Sequence, residues 1–473
     1  MTDAVLGTTR WRPTALVAGA AGLLISLDTT VNIAFPAITA AFTLRVSQIQ
    51  WVVISYVLTY ASLLLTTGRL GDVFGHRRVV TAGLVLTSIG VAACGVAPHF
   101  GLFLGARVVQ GLGAALVLGA APALVTLVAS EGDRSRALGR FQLGVALGAA
   151  IGPALGGVLV SSTSWRSVYL FRAPVALVVL AVLIAVVPGG RVVRSATASL
   201  GTIDLGGALT VGAALAALLL ALSRVRDAGW ASPLVVGGLV VALALFAVWV
   251  AIERRATEPV VDLRLLANPS FSLANALNLV ANATMFAIWL LAPYYLVNVR
   301  GLSTIIGGIV LGMAPLATAL SAPVAGWLDG RVSTGRLCTV GLALEAVGLG
   351  TVALVDGHTP LVLVSGAFAL VGLGIGLFTV PNLSYVMGSI PRARQGVAGG
   401  LSQMMRTVGV VSGVTFASLF FDTRQRAHGG GTDAFVPAFR DVFVLAATMC
   451  GAATAASLFR SPVGARVTPT LHG

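Results

Sequence analysis

The sequence predicts an all-α membrane protein with fourteen transmembrane helices. Three observations carry that reading: 57% of the 473 residues are apolar, only 10% are charged, and uncharged apolar windows recur along the whole chain. Soluble globular proteins carry about 25% charged residues, so this composition suits lipid rather than water. A window of roughly 20 apolar residues crosses the hydrocarbon core as a helix, which satisfies its own backbone where no water can.

In order, the windows fall at about 13–36, 49–68, 79–97, 100–129, 137–160, 168–188, 202–223, 232–252, 271–298, 304–328, 335–355, 359–388, 397–421 and 438–459. The first is too long for a cleaved secretory segment and is read as a retained first helix. The connections are short, which excludes a soluble catalytic domain between spans. Arginines gather at the N-terminus and in the even-numbered loops, among them Arg69, Arg77, Arg78, Arg140, Arg254, Arg255 and Arg336. By the positive-inside rule both termini are expected in the cytoplasm. The net charge of +14 is therefore mostly a topology signal. Nucleic acid is not an expected partner, because no soluble fold presents a basic face.

All 30 basic residues are arginines. Without lysine there is no P-loop phosphate ligand and no Schiff-base amine, so neither a nucleotide nor another cofactor is expected, and the chain is not read as an enzyme. Cys94, Cys338 and Cys450 lie in apolar runs and offer no metal or redox spacing.

The chain repeats itself. GRLGDVFGHRR begins at Gly68 and GWLDGRVSTGR at Gly326, and the offset of 258 also carries the start of helix 1 onto that of helix 9. Residues 1–190 and 270–460 are expected to form two six-helix bundles. Residues 200–255 supply an inserted pair, helices 7 and 8, and 461–473 a cytoplasmic tail. Duplicated halves around a shared site are the architecture of alternating-access carriers.

Few polar groups interrupt the spans. Asp28 sits inside helix 1, with Asn32 one turn later on the same face. A charge at mid-bilayer costs roughly 2.5–3.5 kcal/mol on insertion scales, so such residues usually face a cavity and carry function. Arg107 in helix 4 lies at matching depth. Asp28 is eight residues from Pro36 and Arg107 seven from Phe100, each about 11–12 Å from the outer end at 1.5 Å per residue. Gln110 shares the Arg107 face. Glu345, near the centre of helix 11, is a possible second acid. In helix 5, Gly144, Gly148, Gly152 and Gly156 recur every four residues beside Pro153 and Gly157, a flat stripe for a close helix neighbour.

LDTTVNIAFP from Leu27, GRLGDVFGHRR from Gly68, RVVQGLGAA from Arg107 and GVALGAAIGPALGG from Gly144 occur in that order at matching helix positions. Together they resemble the major facilitator superfamily, and within it the fourteen-span drug:proton antiporter branch. Three positions depart from the family pattern: Val73 and His76 stand where arginines are usual, and Arg172 where asparagine is common.

The resemblance implies roles. Asp28 and Arg107 would couple protons. Gly68, Asp72, Gly75, Arg77 and Arg78 would form a gating loop, with Asp72 latching onto a neighbouring helix. The helix 5 stripe is the antiporter motif, and Arg406 in helix 13 a structural or gating arginine. First and fourth helices of each half line the cavity in this superfamily. That favours Asn32, Gln110, Asn275, Asn278, Asn282, Asn382 and Tyr385 as substrate-facing, with Tyr56 of helix 2, and disfavours Glu345. The expected function is export of lipophilic, cationic small molecules against proton entry. A lipid, glycolipid or single-metabolite exporter on the same scaffold is the alternative, and the bilayer, protons and substrate are the partners.

Overall fold

The computed structural model describes residues 2–129, 134–187, 205–255, 267–328, 331–388 and 395–459; the expected tail at 461–473 lies outside them. The described residues are helical almost throughout. Helix α1 (Thr2–Ser26) tightens into a 3-10 turn at Leu27–Thr29 and continues as α2 (Thr30–Ile33) and α3 (Phe35–Ala41). Then follow α4 (Gln50–Phe74), α5 (His76–Val96), α6 (Phe100–Val128), α7 (Arg134–Ser162), α8 (Ser167–Leu170) and α9 (Arg172–Val186). Helices α10 (Leu205–Ala228) and α11 (Pro233–Arg255) pair with each other, and α10 lies against α4 and α16. The remainder comprises α12 (Pro269–Tyr294), a π turn at Tyr295–Val299, α13 (Thr304–Leu328), α14 (Thr334–Ala353), α15 (Leu361–Gly388), α16 (Gln395–Ala427) and α17 (Phe435–Ser457).

Among the described residues thirteen helices are long and apolar enough to cross a membrane. The seventh expected window is an apolar stretch of only 14 residues, Leu209–Leu222 within α10. Local sequence sets several boundaries. Asn268 caps α12, its side-chain oxygen accepting from the Ser270 and Phe271 amides at 3.0 and 3.3 Å, and Pro269 follows where no amide partner is needed. The His99 ring accepts from the Leu102 amide at 3.1 Å and starts α6. Gly75, at φ 92°, turns α4 directly into α5, a conformation a side chain would strain.

Helices in lipid gain little from a hydrophobic drive and associate through close packing of small residues. The two halves use the same glycines for it. A Cβ on Gly83 would lie 2.9 Å from the Gly113 carbonyl oxygen, and one on Gly341 would lie 2.8 Å from that of Gly374. Gly111 abuts the Tyr56 carbonyl, and Gly372 the Ala314 carbonyl. Gly83 to Gly341 and Tyr56 to Ala314 keep the 258 offset, so the repeat is a repeat of packing as well as of sequence.

The halves join at one end. Thr39 and Tyr294 hydroxyls meet at 2.5 Å, the Ser418 hydroxyl donates to the Ser47 carbonyl at 3.1 Å, and Thr304 donates to the Gly157 carbonyl at 3.0 Å. All three lie at the end opposite the N-terminus.

Candidate functional site

The 3-10 turn between α1 and α2 carries Asp28. A mid-helix tightening of this kind often marks a functional hinge. Here the Thr29 hydroxyl stabilises it, lying 3.1 Å from the Ser26 carbonyl and 3.3 and 3.4 Å from the Ala149 and Gly148 carbonyls of α7.

The Asp28 carboxylate is gripped from two other helices. Arg107 of α6 donates to Oδ1 at 2.6 Å and to Oδ2 at 2.9 Å, a bidentate pair of the strong, charge-assisted kind. Gln110 donates to Oδ1 at 2.9 Å while its own carbonyl accepts from Arg107 Nη1 at 2.8 Å. Arg107 Nε is fixed on the Val52 carbonyl at 2.9 Å. Tyr56 lays its ring 4.4 Å from the Arg107 guanidinium and pairs with Tyr60 at 5.4 Å. Arg172, at the head of α9, donates a further bond to Oδ1 at 2.9 Å and anchors Nε on the Val168 carbonyl at 3.0 Å. Tyr169 packs between the arginines, its ring 5.9 Å from Arg107 and 5.1 Å from Arg172. Arg107 and Arg172 are 2% and 1% exposed, whereas the Asp28 side chain is 16% exposed. The Asp28 side chain is thus the least buried member of a buried, net cationic cluster.

Asp28, Arg107, Gln110 and Tyr56 therefore come together. Arg172 and Tyr169 complete the group, and sequence reasoning marked Arg172 only as a departure from a pattern. Its signal was available: an arginine heading an apolar span with no acid in its own helix. Asn32 is half-buried one turn below, without a side-chain hydrogen bond among the described residues.

The asparagines expected to line the cavity are buried and bonded to backbone carbonyls. Asn275 donates to the Phe271 carbonyl, Asn278 to the Ser402 carbonyl, Asn282 to the Asn278 carbonyl and Asn382 to the Ala274 carbonyl, and all four are buried, as is Tyr385. Their stripe lies in the seams of α12 with α15 and α16, where amides hold helices together. Arg406 of α16 is exposed and reaches Asn282 Oδ1 at 3.3 Å. Glu345 is sealed, 0% exposed, with the Thr284 hydroxyl donating to Oε1 at 2.9 Å and Oε2 without a partner.

The α7 glycines serve two neighbours. Gly144, Gly148 and Gly156 abut the carbonyls of Gly19, Leu23 and Thr30, and Gly152 abuts the Thr29 hydroxyl, so the four-residue row receives helix 1. Gly157 and Pro153 face the other half instead, against the Thr304 carbonyl and Gly308. Of the expected gating loop, Gly68 and Asp72 instead lie within the last turns of α4, and the Asp72 side chain lies outside the described residues. Arg77 reaches the Ile184 carbonyl at 3.1 Å within its own half, and Arg78 is exposed.

Residues 16–202 and 194–414 match the profile of the Major Facilitator Superfamily. The chain belongs to that superfamily. It is similar to the multidrug resistance protein Stp of Mycobacterium tuberculosis (32% identical over 401 residues, 84% of this chain and 74% of that one). The tetracenomycin C resistance and export protein of Streptomyces glaucescens is 29% identical, covering 86% of this chain and 76% of its own. The riboflavin transporter RibZ of Clostridioides difficile is 27% identical, covering 90% and 92%. A bacterial homolog of the human lysosomal transporter Spinster, solved inward-facing and unoccupied, superposes with a TM-score of 0.70 at 17% identity, covering 98% and 100%. As a superfamily member the chain is a multi-pass membrane transporter and not an enzyme.

Proposed function

We propose that this transporter is a fourteen-span drug:proton antiporter of the bacterial inner membrane, exporting lipophilic small molecules by alternating access. Helices α10 and α11 are the inserted pair, and both termini are cytoplasmic. In that orientation the joined end is the outer one, and the space beside Asp28 opens inward.

One observation carries the reading: a partly exposed aspartate at membrane depth whose carboxylate two guanidiniums hold. A proton and the guanidiniums compete for the same two oxygens, so protonating Asp28 must loosen Arg107 and Arg172. Because those arginines are fixed on the Val52 and Val168 carbonyls, loosening moves α4 and α8 relative to helix 1. A chemical event thereby biases a conformational equilibrium. Names such as the tetracenomycin C export protein support export of natural-product-like compounds. The cationic preference expected from a lone buried acid loses its support, because Arg172 makes the cluster net positive.

Purified protein in proteoliposomes tests the proposal. An imposed pH gradient is expected to accelerate drug movement at least tenfold, and Asp28→Asn to remove that response. Equal transport with and without the gradient overturns proton coupling.

A further inference from the structure

The cluster around Asp28 holds more positive charge than its carboxylate can balance. Arg107 alone occupies both oxygens, and Gln110 adds a third bond. Arg172 then shares Oδ1, while its Nη2, buried, has no hydrogen-bond partner. The Tyr169 hydroxyl beside it is also buried without one. Arg107 and Arg172 are the charged groups that act on Asp28, so the count is one negative against two positive. Across the space, exposed Arg406 adds a further positive group, close enough to Tyr60 to act on it. Burying a guanidinium without a counter-charge costs several kcal/mol, and packing alone gives no reason to retain it. An excess charge among low-dielectric walls also raises the local concentration of ligands of opposite sign.

We infer that Arg172 sets the substrate class: the exported compounds carry an acidic group, a carboxylate or an acidic phenol, drawn to this cluster. The inference rests on the reading of the Asp28 site as the place where substrate meets the coupling group. Charge balance then gives a second consequence. One proton inward exchanged for one monoanion outward moves two charges across the membrane per cycle, so the electrical potential drives export as well as the pH gradient. Exchange of a monocation for a proton moves none.

The test uses acid, methyl ester and amine forms of naphthyl, biphenyl and anthracenyl probes, with binding read by thermal shift on purified protein. Acids are expected to bind the wild type at least tenfold more tightly than their amines. Arg172→Asn should bring that ratio to one or below, and Arg172→Lys should restore it. In proteoliposomes without a pH gradient, a potassium–valinomycin potential should drive acid probes and leave amines unaffected. Amines binding as well as acids, no acid binding at all, or an unchanged ratio in Arg172→Asn overturns the role of Arg172. If Arg172→Asn does not fold, the wild-type ratio and the potential-driven transport decide it. Acid selectivity in a protein indifferent to a pH gradient supports the role of Arg172 while refuting proton coupling. A pH-driven protein that prefers amines does the reverse.

Discussion

The two halves share a scaffold and differ in where they keep their charge. One turn before Gly111 stands Arg107, and one turn before its packing equivalent Gly372 stands Phe368, fully buried. Gly113 abuts Thr87, and its equivalent Gly374 abuts Glu345. The N-terminal half thus holds a partly exposed acid between two buried arginines. The C-terminal half has a phenyl ring at the arginine position and hides its acid on the third helix of its bundle. Duplication conserved the glycine contacts, which backbone proximity dictates. Side chains one turn away were free to diverge, and one half became the ionic centre while the other became a packed wall.

Breaking the ionic centre should have the largest effect. Arg107→Met removes a guanidinium that holds both Asp28 oxygens, Gln110 and the Val52 carbonyl, at a cost of about 3–5 kcal/mol, and export should cease. Phe368→Leu, its counterpart, should cost about 1–2 kcal/mol and leave gradient-driven export within twofold. Equal loss of export in both, measured in the same proteoliposomes, would erase the asymmetry.

A smaller effect is expected where the stripes match. Gly413 abuts the Ala283 carbonyl in the C-terminal half as Gly148 abuts that of Leu23 in the N-terminal half. Alanine at either should cost about 1–3 kcal/mol through overpacking, read as matched losses of melting temperature. Only Gly148→Ala should slow transport, because the Gly148 carbonyl meets the Thr29 hydroxyl in the turn that carries Asp28.

Glu345→Gln sharpens the contrast between acids. The amide retains an acceptor for the Thr284 hydroxyl, so stability should change by about 1 kcal/mol or less. The dependence of transport on the pH gradient should be unaltered. A flattened response would place Glu345 in the coupling path.

The smallest effect concerns the joined end. Tyr294→Phe deletes the bond to Thr39 and should favour separation of that end by about 1 kcal/mol, roughly a fivefold shift in population. Faster amide exchange in α3 would register it, and unchanged exchange would show that glycine packing alone closes that end.

Much of this was legible in the residues. Hydropathy marked the spans, and the 258 offset marked the duplication. Depth counting from Pro36 and Phe100 brought Asp28 to Arg107, because helical rise is fixed. Arg172 was not placed, since counting along α9 does not reveal which interior its long side chain enters. The Asn275, Asn278 and Asn282 stripe meets a related limit. Periodicity identifies a face of α12 but not whether α16 or open space lies opposite. The Gly144–Gly156 row was plain in the sequence, while the second face of α7, Pro153 and Gly157, acquires meaning only once α13 lies against it.

Cys94, Cys338 and Cys450 are all buried in helix seams. Surface-directed maleimide probes therefore meet a natural blank. Spin or fluorophore labels introduced in pairs across the two bundles can report distances on an otherwise native background, without first stripping thiols from the chain.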